Sequence, residues 1–97
     1  MPTYVSLINW TDQGVKNSKD SVDRAQKAEQ MMAKLGVKFK SIYWTVGPYD
    51  IVSVVEADDD ESATAALLAL GAQGNVRTTT MRAYDADAMA GILAKLG

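Results

Sequence analysis

The stretch from Ile42 to Val55 constrains the fold of this chain more than any other. Aromatic and β-branched residues stand on both sides of Gly47-Pro48, the pattern of two strands folded back on each other. Glycine at the first central position of a type II′ turn takes the positive φ that turn needs, and proline's fixed φ suits the second. The expectation is therefore a tight hairpin. Its strands are predicted at Val37 to Val46 and from Tyr49 to Glu56 or Ala57.

Around this hairpin the other elements fall into place. Thr3 to Trp10 reads as a first strand, with Tyr4, Ile8 and Trp10 on one face and Val5 and Leu7 on the other. A short helical turn at 12–18 leads into a helix at about 20–35, where Val22, Ala25, Ala28, Met32 and Leu35 recur at helical spacing. Asp20 or Ser21 is placed to cap its start, and Gly36 suits the left-handed residue that ends it. Asp58-Asp59-Asp60-Glu61 opens a second long helix, with Asp58 and Glu61 at capping-box spacing, and Gly71 and Gly74 close it. Val76 to Tyr84 is the fourth strand, and a last helix capped by Asp85 carries Met89, Ile92, Leu93 and Leu96.

Strand, helix, strand, strand, helix, strand and a terminal helix is the order of a ferredoxin-like split βαβ fold, an α+β class. It makes residues 1–97 a single domain, with a four-stranded antiparallel sheet and both main helices on one face. The first and third strands are then central, and both are apolar on both faces, Ile51 and Val55 opposing Val52 and Val54. Strands buried on two sides read this way. With helices on one side only, the other side calls for a second copy of the chain. Shielding about 500 Å² of apolar surface there gains on the order of 12 kcal/mol before association costs. A homodimer or higher homo-oligomer is expected.

Composition excludes several chemistries. There is no cysteine and no histidine, which removes disulfides, thiolate and Ser-His-Asp catalysis, imidazole-ligated zinc and histidine-ligated haem. The expectation is no cofactor and no metal. Net charge is −2, so nucleic acid is a poor partner, although residues 1–40 carry net +3 against −5 for residues 41–97. No apolar run approaches the roughly 20 residues of a membrane span, and no secretory signal pattern opens the chain. The chain reads as cytoplasmic, with no membrane partner.

Five patches carry a resemblance. They are the opening Met1 to Val5, the stretch Thr11 to Asn17, Tyr43-Trp44-Thr45, the tetrapeptide Gly47-Pro48-Tyr49-Asp50, and Gly74 to Thr78 with Thr80. In this order and over nearly the whole length, they resemble the GYD family of small bacterial proteins, named for a Gly-x-Tyr-Asp signature. The resemblance implies a ferredoxin-like subunit of the dimeric α+β barrel type and no established activity. Enzymes occur among related barrel families, including cofactor-free monooxygenases, isomerases and haem enzymes. Inheriting their chemistry would be analogy from fold alone.

The candidate site residues each have two readings. Asp50, beside the hairpin on a central strand, is either a general base or ligand anchor, with Arg77 or Arg82 as partner, or a carboxylate that pins the turn. Trp10, Trp44 and Tyr49, with Tyr43, join Asp50 as candidate lining of a pocket for a flat organic ligand, oriented by Asn9, Lys16, Asn17 and Thr80, or serve packing and subunit contact. The acidic run 58–61 lacks the alternating spacing and glycine of a calcium loop, which favours helix capping. If Met1 is removed, an amino-terminal Pro2 in an apolar pocket near an arginine would suit a tautomerase; its other reading is an ordinary terminal residue. The leading expectation is a small-molecule-binding homo-oligomer without established catalysis. The alternatives are a cofactor-free enzyme of the barrel type acting on a planar substrate, with Asp50 as base, and a module that only assembles.

Overall fold

A computed structural model describes residues 1–97. Four strands, β1 (Thr3–Trp10), β2 (Val37–Trp44), β3 (Ile51–Ala57) and β4 (Val76–Ala83), form one antiparallel sheet in the order β2-β3-β1-β4. The helices are α1 (Asp12–Lys16), α2 (Ser21–Lys34), α3 (Asp60–Ala72) and α4 (Ala86–Ala94), with a 3₁₀ turn at Ser18–Asp20. This is the α+β, ferredoxin-like arrangement that the element order predicts, with β1 and β3 central.

Strand periodicity of two divides the sheet cleanly. Tyr4, Ser6 and Ile8 of β1 and Ile51, Ser53, Val55 and Ala57 of β3 are buried under the helices. From above them Met32 of α2 and Ala63 and Ala66 of α3 close one apolar cluster with Tyr4, Val37 and Val55. A smaller cluster of Ile8, Ile51 and Val76 sits nearer the hairpin. Between the two lies the cross-strand pair Ser6 and Ser53, with exposures of 2% and 4%. On the other side, Val5, Leu7, Val52 and Val54 are half-buried, flanked by exposed Tyr43 and Met81, and no helix covers them.

Several local expectations are corrected. The β2–β3 connection is not a two-residue type II′ turn. Pairing stops at Trp44 and Ile51, and Thr45 to Asp50 form a wider loop closed by Thr45 N–H donating to Asp50 O at 2.8 Å and Thr45 Oγ1 to Tyr49 O at 2.6 Å. The register shift between Phe39 and Ser41 bulges β2 at Lys40. Asp59, not Asp58, caps α3, its carboxylate accepting from Ser62 N–H at 2.7 Å. These bonds hold the Asp59 carboxyl below its usual range. Asp20 stands at the start of α2 without a side-chain cap bond, and Ser21 lies inside the helix. Gly71 is helical, leaving the left-handed turn to Gly74 at φ 81°. Gly36, at φ 82°, ends α2 as its sequence position predicts. Val22 of α2 is exposed because it faces an open groove beside β2 instead of the core, and Leu35, the residue that caps the end of α2, is exposed as well.

Helix α4 is the outlier. Asp85 caps it by accepting from Ala88 N–H at 2.8 Å, yet none of its residues is buried. Met89 and Leu93 are exposed, as is Leu96 just beyond the helix. The radius of gyration is 14.5 Å, against roughly 12.5 Å for a compact chain of this length. The molecule measures 52 × 30 × 17 Å. No helix is long and apolar enough to cross a membrane.

Candidate functional site

The patches that are distant in sequence meet where β1 ends and β3 and β4 begin. Thr11 caps α1, its Oγ1 accepting from Gly14 N–H at 3.1 Å and donating to Gly74 O at 2.6 Å. Its amide donates to Asn75 O at 3.0 Å. Gln13 Nε2 bridges Gln73 O and Asn75 Oδ1 at 3.1 and 2.9 Å. Gly14 packs so closely on this turn that a Cβ there would stand 1.9 Å from Asn75 O. Arg24 of α2 reaches down to donate to Asn17 O at 2.6 Å and Gly14 O at 3.1 Å.

Asp50 joins the same end. Its amide donates to Ile8 O at 2.9 Å, and its Oδ2 accepts from Trp10 N–H at 2.9 Å. The side chain thus supplies an acceptor just where the β1–β3 ladder runs out. Neither Arg77 nor Arg82 pairs with it. Arg77 donates to Gly71 O and Val76 O. Arg82 donates to Thr3 O and Ala83 O and lies over the rings of Tyr84 and Tyr4 at 4.6 and 5.6 Å. The single ion pair of the chain is Lys40 with Glu56, at 3.3 Å.

Above this end, a cavity of about 60 Å³ opens between the sheet and helices α2 and α3. Ser6 and Ser53 explain it. Where larger residues would fill the centre of the sheet, two hydroxymethyl groups sit opposite small Ala25 and Ala28 of α2. Trp10 lines the cavity, and its indole Nε1 is buried with no hydrogen-bond partner. Trp44 lines instead an open groove of about 320 Å³ between α2 and β2, and its Nε1 donates to Ser21 Oγ at 2.8 Å.

The structure therefore separates the residues that the sequence groups together. Trp10 belongs to the inner cavity and Trp44 to the outer groove. Tyr49 and Asp50, both half-buried, line neither. Asn9, Lys16, Asn17 and Thr80 also lie outside both, Thr80 Oγ1 being paired with Ser6 Oγ at 2.8 Å. Pro2 lines neither, and its carbonyl accepts from Ala57 N–H at 3.0 Å. No three potential metal-ligating side chains gather anywhere. Arg24, Ser21 and Asn75 are not among the site residues that the sequence points to. The readable signal was the serine at the middle of each otherwise apolar face, Tyr4-x-Ser6-x-Ile8 and Ile51-x-Ser53-x-Val55.

A second cluster sits at the far end. The Tyr4 hydroxyl donates to Asp60 Oδ1. That bond, with burial adding to it, pushes the phenol up to about 12.

Comparison with known proteins agrees with this architecture. A protein of Thermus thermophilus named glutamine synthetase and cystathionine beta-lyase binding protein is 34% identical over 97 residues, spanning 99% of each chain. The crystal structure of TTHA0845 from the same organism is 28% identical with a TM-score of 0.54, over 89% of this chain and 96% of that one. The crystal structure of an FFRP protein, 20% identical with a TM-score of 0.63, covers 87% and 100% and shares the fold. The family model of the GYD domain matches residues 4–93, and the chain belongs to that family.

Proposed function

We propose that this chain is a homodimeric binding protein without catalysis of its own, which docks on metabolic enzymes. The observation that carries the reading is a pair of apolar surfaces with nothing against them, the back of the sheet and helix α4. Four strands about 4.8 Å apart and seven or eight residues long present roughly 500 Å². A stable interface covers about 800 Å² per partner, so the sheet alone falls short and α4 supplies the balance. A nine-residue helix is also too short to persist in water without packing. Two sheets stacked back to back, each chain's α4 lying along its partner, satisfy both surfaces at once.

The docking part of the proposal rests on the relative named for binding glutamine synthetase and cystathionine β-lyase. The enzyme reading has less support. One Asp50 oxygen already accepts from a backbone amide, which gives the carboxylate a structural task, and neither Arg77 nor Arg82 pairs with it.

Sedimentation at micromolar concentration tests the assembly, and twice the 10.4 kDa chain mass is expected. Co-sedimentation with purified glutamine synthetase and cystathionine β-lyase tests the docking. A lone monomer refutes the first half, and failure of the dimer to move with either enzyme refutes the second.

A further inference from the structure

We propose that the cavity beneath α2 and α3 is a binding site for a short aliphatic monocarboxylate. It has room for more than ordered water. A cavity needs about 10–15 Å³ to admit one water molecule, and this one offers about 60 Å³. A water cluster would be poorly held, since each buried water wants two to four polar partners and the walls are mainly apolar, Ile8, Ile51, Val55 and Leu70 among them.

Most of the unused polar valences on those walls are donors, the Ser53 hydroxyl and the Gln73 side-chain oxygen being the neutral acceptors beside them. Trp10 Nε1 can only donate and is the one buried side-chain polar atom in the chain without a partner. A buried donor left unmade is costly. Asn75 commits its side-chain oxygen to Gln13 and keeps its amide hydrogens. Arg24 uses two of its five N–H groups on backbone carbonyls and is the only charged residue of the lining. No aspartate or glutamate lines the cavity.

A wall whose only charge is a guanidinium and whose one unpartnered buried polar atom is a donor selects an anionic acceptor, and the apolar remainder selects a hydrocarbon body. An α-amino acid is rejected, because its ammonium group finds no carboxylate and would be desolvated unpaired. At the volume one water occupies, the space admits about four to six heavy atoms. This is the size of butyrate or isobutyrate. The inference is independent of the dimer and of enzyme docking.

The two indole N–H signals in a proton–nitrogen correlation spectrum read it directly. Trp44→Phe assigns them, and Trp44, already bonded to Ser21, serves as the internal control. Titration with butyrate is expected to move the Trp10 signal downfield and to saturate, with the Trp44 signal still. Butyramide and 2-aminobutyrate leave both in place. Arg24→Gln weakens butyrate binding about tenfold or more, the worth of a charge-assisted hydrogen bond. Ser53→Val, which fills the cavity without touching Arg24, abolishes the response while the protein stays folded. No saturable shift of Trp10 with butyrate or isobutyrate up to about 20 mM, far above the Kd a useful site has, overturns the proposal. So does an equal response to butyramide.

Discussion

The Asp50 carboxylate accepts the Trp10 backbone N–H at 2.9 Å, at the point where β3 stops pairing with β1. One side-chain oxygen thereby extends the ladder by a step and ties the β2–β3 loop to the end of the first strand. Asp50→Ala leaves that half-buried amide without its acceptor and is expected to cost about 1–2 kcal/mol in urea unfolding. Asp50→Asn keeps a carbonyl oxygen in place and is expected to cost clearly less. Equal losses for the two would mean that charge, not the hydrogen bond, is what Asp50 contributes.

The signature tetrapeptide was legible as the link between two strands because β-branched and aromatic residues announce strands, and the caps of α3 and α4 were legible to within a residue. Strand order followed from the sequence of elements, and the two-faced character of β1 and β3 from Val5, Leu7, Val52 and Val54 alternating with Tyr4, Ile8, Ile51 and Val55. The turn type was not legible. Gly-Pro fits a two-residue turn locally, but Thr45 and Asp50 close a wider loop through contacts that depend on where β1 ends. The cavity was hidden for a related reason. Ser6 and Ser53 look like ordinary small residues until register sets them side by side. Which tryptophan faces inward is decided by the strand each occupies relative to α2, a tertiary matter that spacing along the chain does not encode.

Gly14 makes the tightest approach of any glycine in the chain, with the Asn75 carbonyl where a Cβ would go. Because the obstacle is backbone held by the Thr11 amide and Gln13, it cannot swing aside as a side chain tip would. Gly14→Ala is expected to destabilise the fold by about 3 kcal/mol, the upper range for overpacking. Chemical denaturation checks the magnitude. A loss below about 0.5 kcal/mol, the level of a neutral surface change, would show that the contact between α1 and the turn before β4 yields freely.

Tyr4 gives the stability curve an alkaline limb. Its phenol donates to Asp60 and is raised to about 12 in the folded chain, from 10.0 when unperturbed. The folded state therefore holds this proton more tightly than the unfolded state. The resulting stabilisation is complete below pH 10 and is lost as pH rises through 12. Tyr4→Phe lacks both the hydrogen bond and the proton. The wild-type advantage over Tyr4→Phe in unfolding midpoint is expected to be constant at neutral pH and to shrink between pH 10 and 12. Parallel curves across that window would place the raised phenol elsewhere.

The proposed self-association surface makes its own test, since its apolar side chains are not needed by the core beneath. Val54 stands at the centre of the sheet back, between Val5 on β1 and Ser41 on β2, pointing away from α2 and α3. Leu93 on α4 is 51% exposed and touches no core cluster. A lysine at Val54 would bury an unpaired charge in a back-to-back dimer but meet only water in a monomer. Val54→Lys and Leu93→Glu are therefore each expected to weaken the dimer at least about tenfold, the effect of roughly 1.4 kcal/mol. The circular dichroism of each variant should still show both strands and helices. In the proposed dimer the two sites, on different elements of one chain, face the same neighbour, so the double variant should sediment as a monomer where each single variant is in exchange. If Leu93→Glu leaves the dimer intact while Val54→Lys breaks it, α4 serves a different partner from the sheet, and the enzymes that the GYD relative is named for become its first candidates.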